Sequence, residues 1–213
     1  MKPLFAKLRR EYTNDQLLEK NLHPNPFKQF GRWFREAIKH NPNPEAMTLA
    51  TASPKGFVTA RTVLLKDFGK KGFSFYSYYQ SRKGKQIAKN PKGALVFYWP
   101  ELNRQISMTG KIRKVSKTES LRYFHSRPVK SQIAAWVSYQ SQPIGSRQEL
   151  EAKFNGASQR FQGKAIPLPP GWGGYRLVPA TIEFWQGRLN RLNDRLQYVR
   201  TKAGTWKLRR LQP

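Results

Sequence analysis

Hydrophobic positions along the chain change period twice. In NPFKQFGRWFREAIKH (25–40), Phe27, Phe30, Phe34 and Ile38 recur at spacings of three and four after an Asn-Pro start. That pattern predicts an amphipathic helix, which NPNPE (41–45) then breaks. From Met47 the period falls to two. AMTLATA and FVTARTVLLK flank the turn SPKG, FGKKG leads into FSFYSYY, and GALVFYWP and RQISMTGKIRKVS follow. These read as successive antiparallel strands joined by short turns. In RQISMTG, Gln105, Ser107 and Thr109 alternate with Ile106 and Met108, so one face of that strand is polar.

Helical patterns interrupt the strands. SRKGKQIAKNP (81–91) predicts a short helix with Ser81 as N-cap. Ser116 and Glu119 form an S-x-x-E capping box that opens KTESLRYFHS, and Pro128 ends that helix. KSQIAAWVSYQS and SRQELEAKFNGASQRF predict two more, and IPLPPGWGGY reads as a Pro/Gly loop. YRLVPATIEFWQG, RLQYVR and TWKLRRL supply the last strands, the final two joined by TKAG. The expected fold is mainly β with inserted helices, an antiparallel barrel of about eight strands in one domain over 1–213. Within it, 1–25 is an N-terminal arm with a short helix around FAKLRREYTNDQLLEK, 117–165 a helical insertion, and 173–213 the C-terminal strands.

Composition narrows the chemistry. There is no cysteine, which excludes a disulfide framework and thiolate metal sites, and His23, His40 and His125 are scattered. Metal chemistry is not expected. The N-terminus lacks a signal-peptide core and no apolar run reaches membrane-spanning length, so a cytoplasmic protein is the default. Forty Lys and Arg against twelve Asp and Glu give a net charge of +28. Such a field concentrates anions, from phosphorylated metabolites to nucleic acid. The basic residues are spread along the chain, which also suits a solvated basic surface.

Three basic clusters could hold anions. In ARTVLLK, alternation places Arg61 with Val63 and Leu65 and puts Lys66 on the other face at the strand's end. Arg82 and Lys83 fall in the first turn of a predicted helix, where the dipole disfavours cations unless an anion sits there too. Tyr123, Arg127 and Ser131 are four apart around Pro128, so they ring a helix junction as a phenol, a guanidinium and a hydroxyl suited to phosphate. Each cluster taken alone also fits solvated or core side chains. EFWQGRLNRLNDR (183–195) brings Arg188, Arg191 and Arg195 to a strand end and turn, where they face a site rather than line a helix. No nucleophile triad, G-x-S-x-G or P-loop is present. Phosphate-binding groups beside aromatic strands suit a cofactor with a phosphate and a flat ring, which carries the chemistry itself.

Taken together, LRREYT, RTVLLK, SRKGKQI, RQISMTGK, YFHSRP, KSQIAAWVS, PLPPGWGGYR and IEFWQGR with RL and DR resemble, in order and spacing, the pyridoxine (pyridoxamine) 5′-phosphate oxidase family from about Leu8 to Pro213. The resemblance implies a homodimer of FMN-binding split β-barrels with two flavin sites at the subunit interface. It implies oxidation of pyridoxine or pyridoxamine 5′-phosphate to pyridoxal 5′-phosphate in vitamin B6 metabolism, with hydride passing to FMN and O2 reoxidising the flavin to give hydrogen peroxide. By the same likeness FMN would be held by Arg61, Thr62, Val63, Leu64, Leu65 and Lys66, by Tyr76 and Ser77, and by Arg82 and Lys83. The other subunit would add Gln105, Gln140, Ser141, Trp185 and Arg195. Lys66, Tyr123, Arg127 and Ser131 would hold the substrate phosphate, and Arg191 with Asn193 would cover the substrate ring at the carbon oxidised. Arg9 through Tyr12 match a stretch that can fold over the site, and Arg188 is left as solvated.

One position departs from the family. Where RLHDR is common, this chain has RLNDR, so Asn193 stands in place of a histidine. An amide can orient a substrate but cannot titrate near neutral pH. Orientation is the role expected here. Other readings that the residues leave are a split-barrel flavin reductase, a relative that binds pyridoxal phosphate without oxidase activity, and a basic nucleic-acid-binding protein. Nucleic acid is expected to bind only non-specifically, if at all.

Overall fold

The computed structural model describes residues 16–213; Arg9 and Tyr12, like most of the N-terminal arm, lie outside the described residues. Helix α1 (Pro26–His40) leads into strands β1 (Ala46–Ala52), β2 (Val58–Leu64), β3 (Asp67–Gly69) and β4 (Gly72–Tyr78). Helix α2 (Arg82–Lys89) precedes β5 (Lys92–Trp99) and β6 (Arg104–Lys114). Helices α3 (Lys117–Ser126), α4 (Val129–Val137) and α5 (Arg147–Arg160) follow, then β7 (Trp172–Gln186), β8 (Asp194–Arg200) and β9 (Trp206–Leu211). The strand order is β2-β1-β5-β6-β7-β4-β3, with β8 on β7 and β9 on β8. The additional strand beyond the expected number is β3, read from sequence as part of a turn. Asp67 and Phe68 pair with Ser74 and Phe73, and Gly72 closes the hairpin at φ +123°.

The chain packs as two compact units: described residues up to Leu49 with 94–110 and 179–213, and 50–93 with 111–178. In the first, the Asn25 side chain caps α1 by accepting from the Phe27 N–H at 2.9 Å. The helix buries Phe27, Phe30, Trp33 and Ala37, while Ile38 is exposed. The expected stripe through Phe34 and Ile38 is thus rotated toward the indole. Trp33 packs edge-on against Phe184 at 5.1 Å and has more apolar surface to remove from water than Ile38. The later half of β7, from residue 179, forms an antiparallel meander with β8 and β9 in this unit, with Gln186 opposite Asp194 and Arg195 opposite Leu211.

In the second unit, Phe124, Ile133, Ile166 and Trp172 form a buried cluster under α3, α4 and α5. Ser116 caps α3 by accepting from the Glu119 N–H at 3.1 Å. Only that half of the capping box forms, because the Glu119 carboxylate pairs with Arg176 instead. Strand β7 begins at Trp172, inside the stretch that reads as a Pro/Gly loop. Gly173 and Gly174 pair with Ser77 and Tyr76 of β4. A Cβ at Gly173 would lie 2.0 Å from the Tyr79 hydroxyl, and one at Gly174 would lie 2.8 Å from the Tyr76 ring. These glycines are strand residues whose missing side chains make room for tyrosines.

Candidate active site

A cleft of about 700 Å³ opens in the second unit between β2, β4, α2 and the α3–α4 junction. Thirteen residues expected at the flavin or substrate line it: Arg61, Thr62, Val63, Leu64 and Lys66 from β2 and the loop after it, Tyr76 and Ser77 from β4, Lys83 from α2, Tyr123, Arg127 and Ser131 at the junction, and Gln140 and Ser141 beyond α4. No carboxylate is among the lining residues. The alternation predicted for β2 holds, since Arg61 and Val63 are half-buried and Thr62 and Leu64 exposed. Leu65 is instead buried in the core, at the turn out of the strand. Lys66 is placed by its backbone N–H, which donates to the Ser74 carbonyl at 2.9 Å.

Two subsites are visible in the side-chain contacts. At one, Lys83 Nζ donates to Ser77 Oγ and to Gln140 Oε1, each at 3.0 Å, and Ser77 Oγ donates to the same amide oxygen at 2.9 Å. Arg61 donates to Thr51 Oγ1 at 2.7 Å and to Thr59, and both hydroxyls donate to Gln86 Oε1, at 2.6 and 2.8 Å. Thr51, Thr59 and Gln86 thereby orient the guanidinium; sequence reading missed them because they lie on three separate elements. Burial lowers the Lys83 pKa, with Arg61 adding repulsion, and burial with repulsion from Arg82 lowers that of Arg61. Cations held at such a cost, with no carboxylate in the lining, fit an anion.

At the second subsite, the Arg127 guanidinium lies 4.9 Å over the Trp172 ring, and its Nη1 is buried with no hydrogen-bond partner. Burial depresses its pKa as well. Tyr76 and Tyr123 stack at 3.8 Å, and Tyr76 stacks on Trp172 at 5.4 Å. Burial, and then repulsion from Glu119, pushes the Tyr76 phenol up to about 12, and burial raises Tyr123 too. Both phenols therefore stay protonated near neutral pH and can donate to an anion. Trp172 is a lining residue that sequence reading placed in a loop; its only signal was an aromatic between glycines.

Two expectations change. Gln140 and Ser141, expected from the other subunit, line the cleft of their own chain. Helix α4 ends at Val137, and the following residues bring Gln140 against Ser77 and Lys83. Arg82 does not line this cleft but a neighbouring one of about 870 Å³, with Lys85 and Lys89. Adjacent helix residues point about 100° apart, so Lys83 faces the first cleft and Arg82 turns away.

The remaining candidates lie in the first unit. Gln105 is half-buried on the polar face of β6, beside buried Ile106 and Met108. Trp185 is paired with Arg195 across the β7–β8 ladder. Arg195 Nε donates to Glu183 Oε1 at 2.7 Å, which raises the guanidinium pKa. Arg191 is exposed in the loop between the two strands, and Asn193 accepts from the Arg188 N–H at 3.0 Å. Arg188 is not merely solvated, because its Nε lies 3.7 Å from Asp194 Oδ2.

Known proteins resemble this chain in sequence and architecture. Residues 34–161 match the family model described as pyridoxamine 5′-phosphate oxidase, and residues 172–213 match a pyridoxine 5′-phosphate oxidase C-terminal dimerisation region. A pyridoxine/pyridoxamine 5′-phosphate oxidase of Nostoc punctiforme is 50% identical over the full length of both chains. One from Rubrobacter xylanophilus is 52% identical, over 98% of this chain and 96% of its own. PhzG from Burkholderia lata, solved with tetrahydrophenazine-1-carboxylic acid, superposes with a TM-score of 0.87 at 29% identity, covering 93% of this chain and 98% of its own. An FMN-binding protein of Nostoc punctiforme shares the fold, with a TM-score of 0.73 at 17% identity over 89% of this chain and 98% of its own. No helix among the described residues is long and apolar enough to cross a membrane. With full-length relatives at half identity, a family model over more than half its length and a cleft built for anions, this chain belongs to the pyridoxamine 5′-phosphate oxidase family of homodimeric, FMN-dependent split-barrel oxidoreductases.

Proposed function

We propose that this chain oxidises pyridoxine 5′-phosphate or pyridoxamine 5′-phosphate to pyridoxal 5′-phosphate, with O2 as terminal oxidant. The observation that carries the proposal is the Lys66, Tyr123, Arg127 and Ser131 set in one cleft, where the buried Arg127 Nη1 has no partner. A phosphate dianion would satisfy that atom and take hydrogen bonds from the phenol and the hydroxyl. The full-length relatives carry the same activity in their names.

Arg61, Lys83, Ser77 and Gln140 would hold FMN, through the first subsite's cations and polar groups. When bound, FMN supplies a two-electron acceptor that O2 can regenerate. The chain's own work is placement. The Tyr76, Tyr123 and Trp172 stack gives the site an aromatic wall, and the phosphate anchor would fix the substrate's distance from it. Arg191 would cover the substrate ring, with Asn193 beside it in the same loop, and Gln105, Trp185 and Arg195 would serve the flavin site of the other protomer. Asn193 accepts no proton near neutral pH, so its contribution is orientation.

The test is an anaerobic visible spectrum of the FMN-loaded protein before and after addition of pyridoxine 5′-phosphate, followed by air. Bleaching of the flavin band, its return in air and accumulation of pyridoxal phosphate are expected. A flavin that stays oxidised with both phosphorylated substrates would overturn the proposal. If it bleached instead with a phosphate-free tricyclic carboxylate like that in the PhzG complex, a different substrate class would follow.

A further inference from the structure

We infer that Asn193 is a positioning residue: its side-chain oxygen clamps the β7–β8 loop and so fixes where Arg191 stands. Strands β7 and β8 close their ladder at Gln186 and Asp194, leaving residues 187–193 as the loop. Within it, Asn190 sits at φ +54° and Arg191 at φ +61°, both left-handed. Asparagine enters that region readily, whereas arginine does so rarely, and two in succession persist only where neighbours over-determine them.

Those neighbours can be named. Asn193 Oδ1 accepts from the Arg188 N–H at 3.0 Å, which ties the loop's last residue back to its start. The Leu192 N–H donates to the Leu189 carbonyl at 3.1 Å, and the Gly187 N–H to the Asn103 carbonyl at 2.9 Å. Next in sequence, Asp194 Oδ1 accepts from Arg210 at 2.6 Å and Oδ2 from the Leu17 N–H at 3.0 Å, while the Arg188 guanidinium approaches Oδ2. Arg195 is held by Glu183. Three consecutive residues, Asn193, Asp194 and Arg195, thus pin the loop and its exit, and the exposed Arg191 is left at the tip in a strained conformation.

The side-chain oxygen of Asn193 is therefore engaged by the backbone, and the residue acts on substrate through Arg191. Loss of one ordinary hydrogen bond would lower the equilibrium constant between ordered and open loop by about tenfold, and the apparent affinity for a ligand of that loop would fall by at most the same factor. The inference rests on the proposed oxidase activity for its kinetic consequence only.

The test compares Asn193→Leu, which removes the acceptor, with Asn193→Asp, which keeps it, in the FMN-loaded enzyme. Amide hydrogen exchange at Arg188 is measured together with kcat and KM for pyridoxine 5′-phosphate. In Asn193→Leu, exchange at Arg188 should speed up by about tenfold and KM should rise by a factor of up to about ten, with kcat falling much less. Asn193→Asp should recover the protection and most of the KM. Unchanged exchange in Asn193→Leu would overturn the clamp. So would a fall of about 100-fold in kcat at constant KM that Asn193→Asp does not rescue, which marks contact with the reacting atoms. Should the chain not oxidise this substrate, the exchange measurement still decides the clamp by itself.

Discussion

Arg195 and Glu183 sit diagonally across the β7–β8 ladder, their side chains joined at 2.7 Å, with the carboxylate 10% exposed and the guanidinium 33%. Removing the cation strands a buried carboxylate, which costs more than the pair contributes when intact. Arg195→Ala is expected to lower stability by about 2 kcal/mol, below the range for fully buried pairs because the arginine is partly exposed. Urea unfolding checks this, and a loss too small to detect would show that Glu183 is rehydrated.

Lys83 gives the apo protein a pH dependence. Burial, with added repulsion from Arg61, holds its folded pKa below that of an exposed lysine. The folded state therefore binds this proton more weakly than the unfolded chain. The resulting penalty is fully present below the folded pKa and fades as pH rises toward the ordinary lysine pKa, so stability from this group increases across that alkaline window. The stability gap between Lys83→Met and the unmodified protein should shrink as pH rises through it. Inorganic phosphate should shrink the same gap at neutral pH. Thermal melts across pH and phosphate concentration measure both, and a pH-independent gap would rule out the buried-cation account.

Gly84 looks like a position to stabilise, since alanine in place of glycine favours a helix by about 1 kcal/mol. A Cβ there would lie 2.1 Å from the backbone carbonyl oxygen of Tyr79, which cannot move aside as a side chain does. Overlap of that kind costs about 1–3 kcal/mol and wins. Gly84→Ala is expected to destabilise the protein and, by shifting α2, to weaken FMN binding. Denaturation and flavin titration test the two parts, and a stabilised variant would refute the packing argument.

At the proposed phosphate subsite, charge and aromatic support separate cleanly. Arg127→Gln should raise KM for pyridoxine 5′-phosphate by about 30-fold with a smaller effect on kcat. Trp172→Leu removes the ring beneath the guanidinium and should raise KM by roughly 3- to 5-fold. If Arg127→Gln lowered kcat and left KM alone, Arg127 would not be the phosphate anchor.

Much of the site was legible because its residues sit on strongly patterned elements. Alternation in β2 and β6 placed Arg61, Val63, Gln105 and Met108 on their faces. Ser81 and Ser116 marked helix starts, and Pro128 marked the junction that gathers Tyr123, Arg127 and Ser131. Less legible were residues whose role depends on a distant partner. Thr51, Thr59 and Gln86 look like ordinary polar positions until Arg61 is placed among them. Glu119 looks like half of a capping box until Arg176 takes its carboxylate.

By itself the sequence determined element type, order and much of the anion-binding chemistry, because period, capping and turn residues act over a few positions. Only the tertiary structure decided which cations converge. It turned Lys83 inward and Arg82 away, brought Gln140 back to Ser77, made strand residues of Gly173 and Gly174, and put Asn193 to work on Arg188. Those outcomes turn on helix rotation, strand register and tyrosine packing, which belong to contacts between segments far apart in the chain.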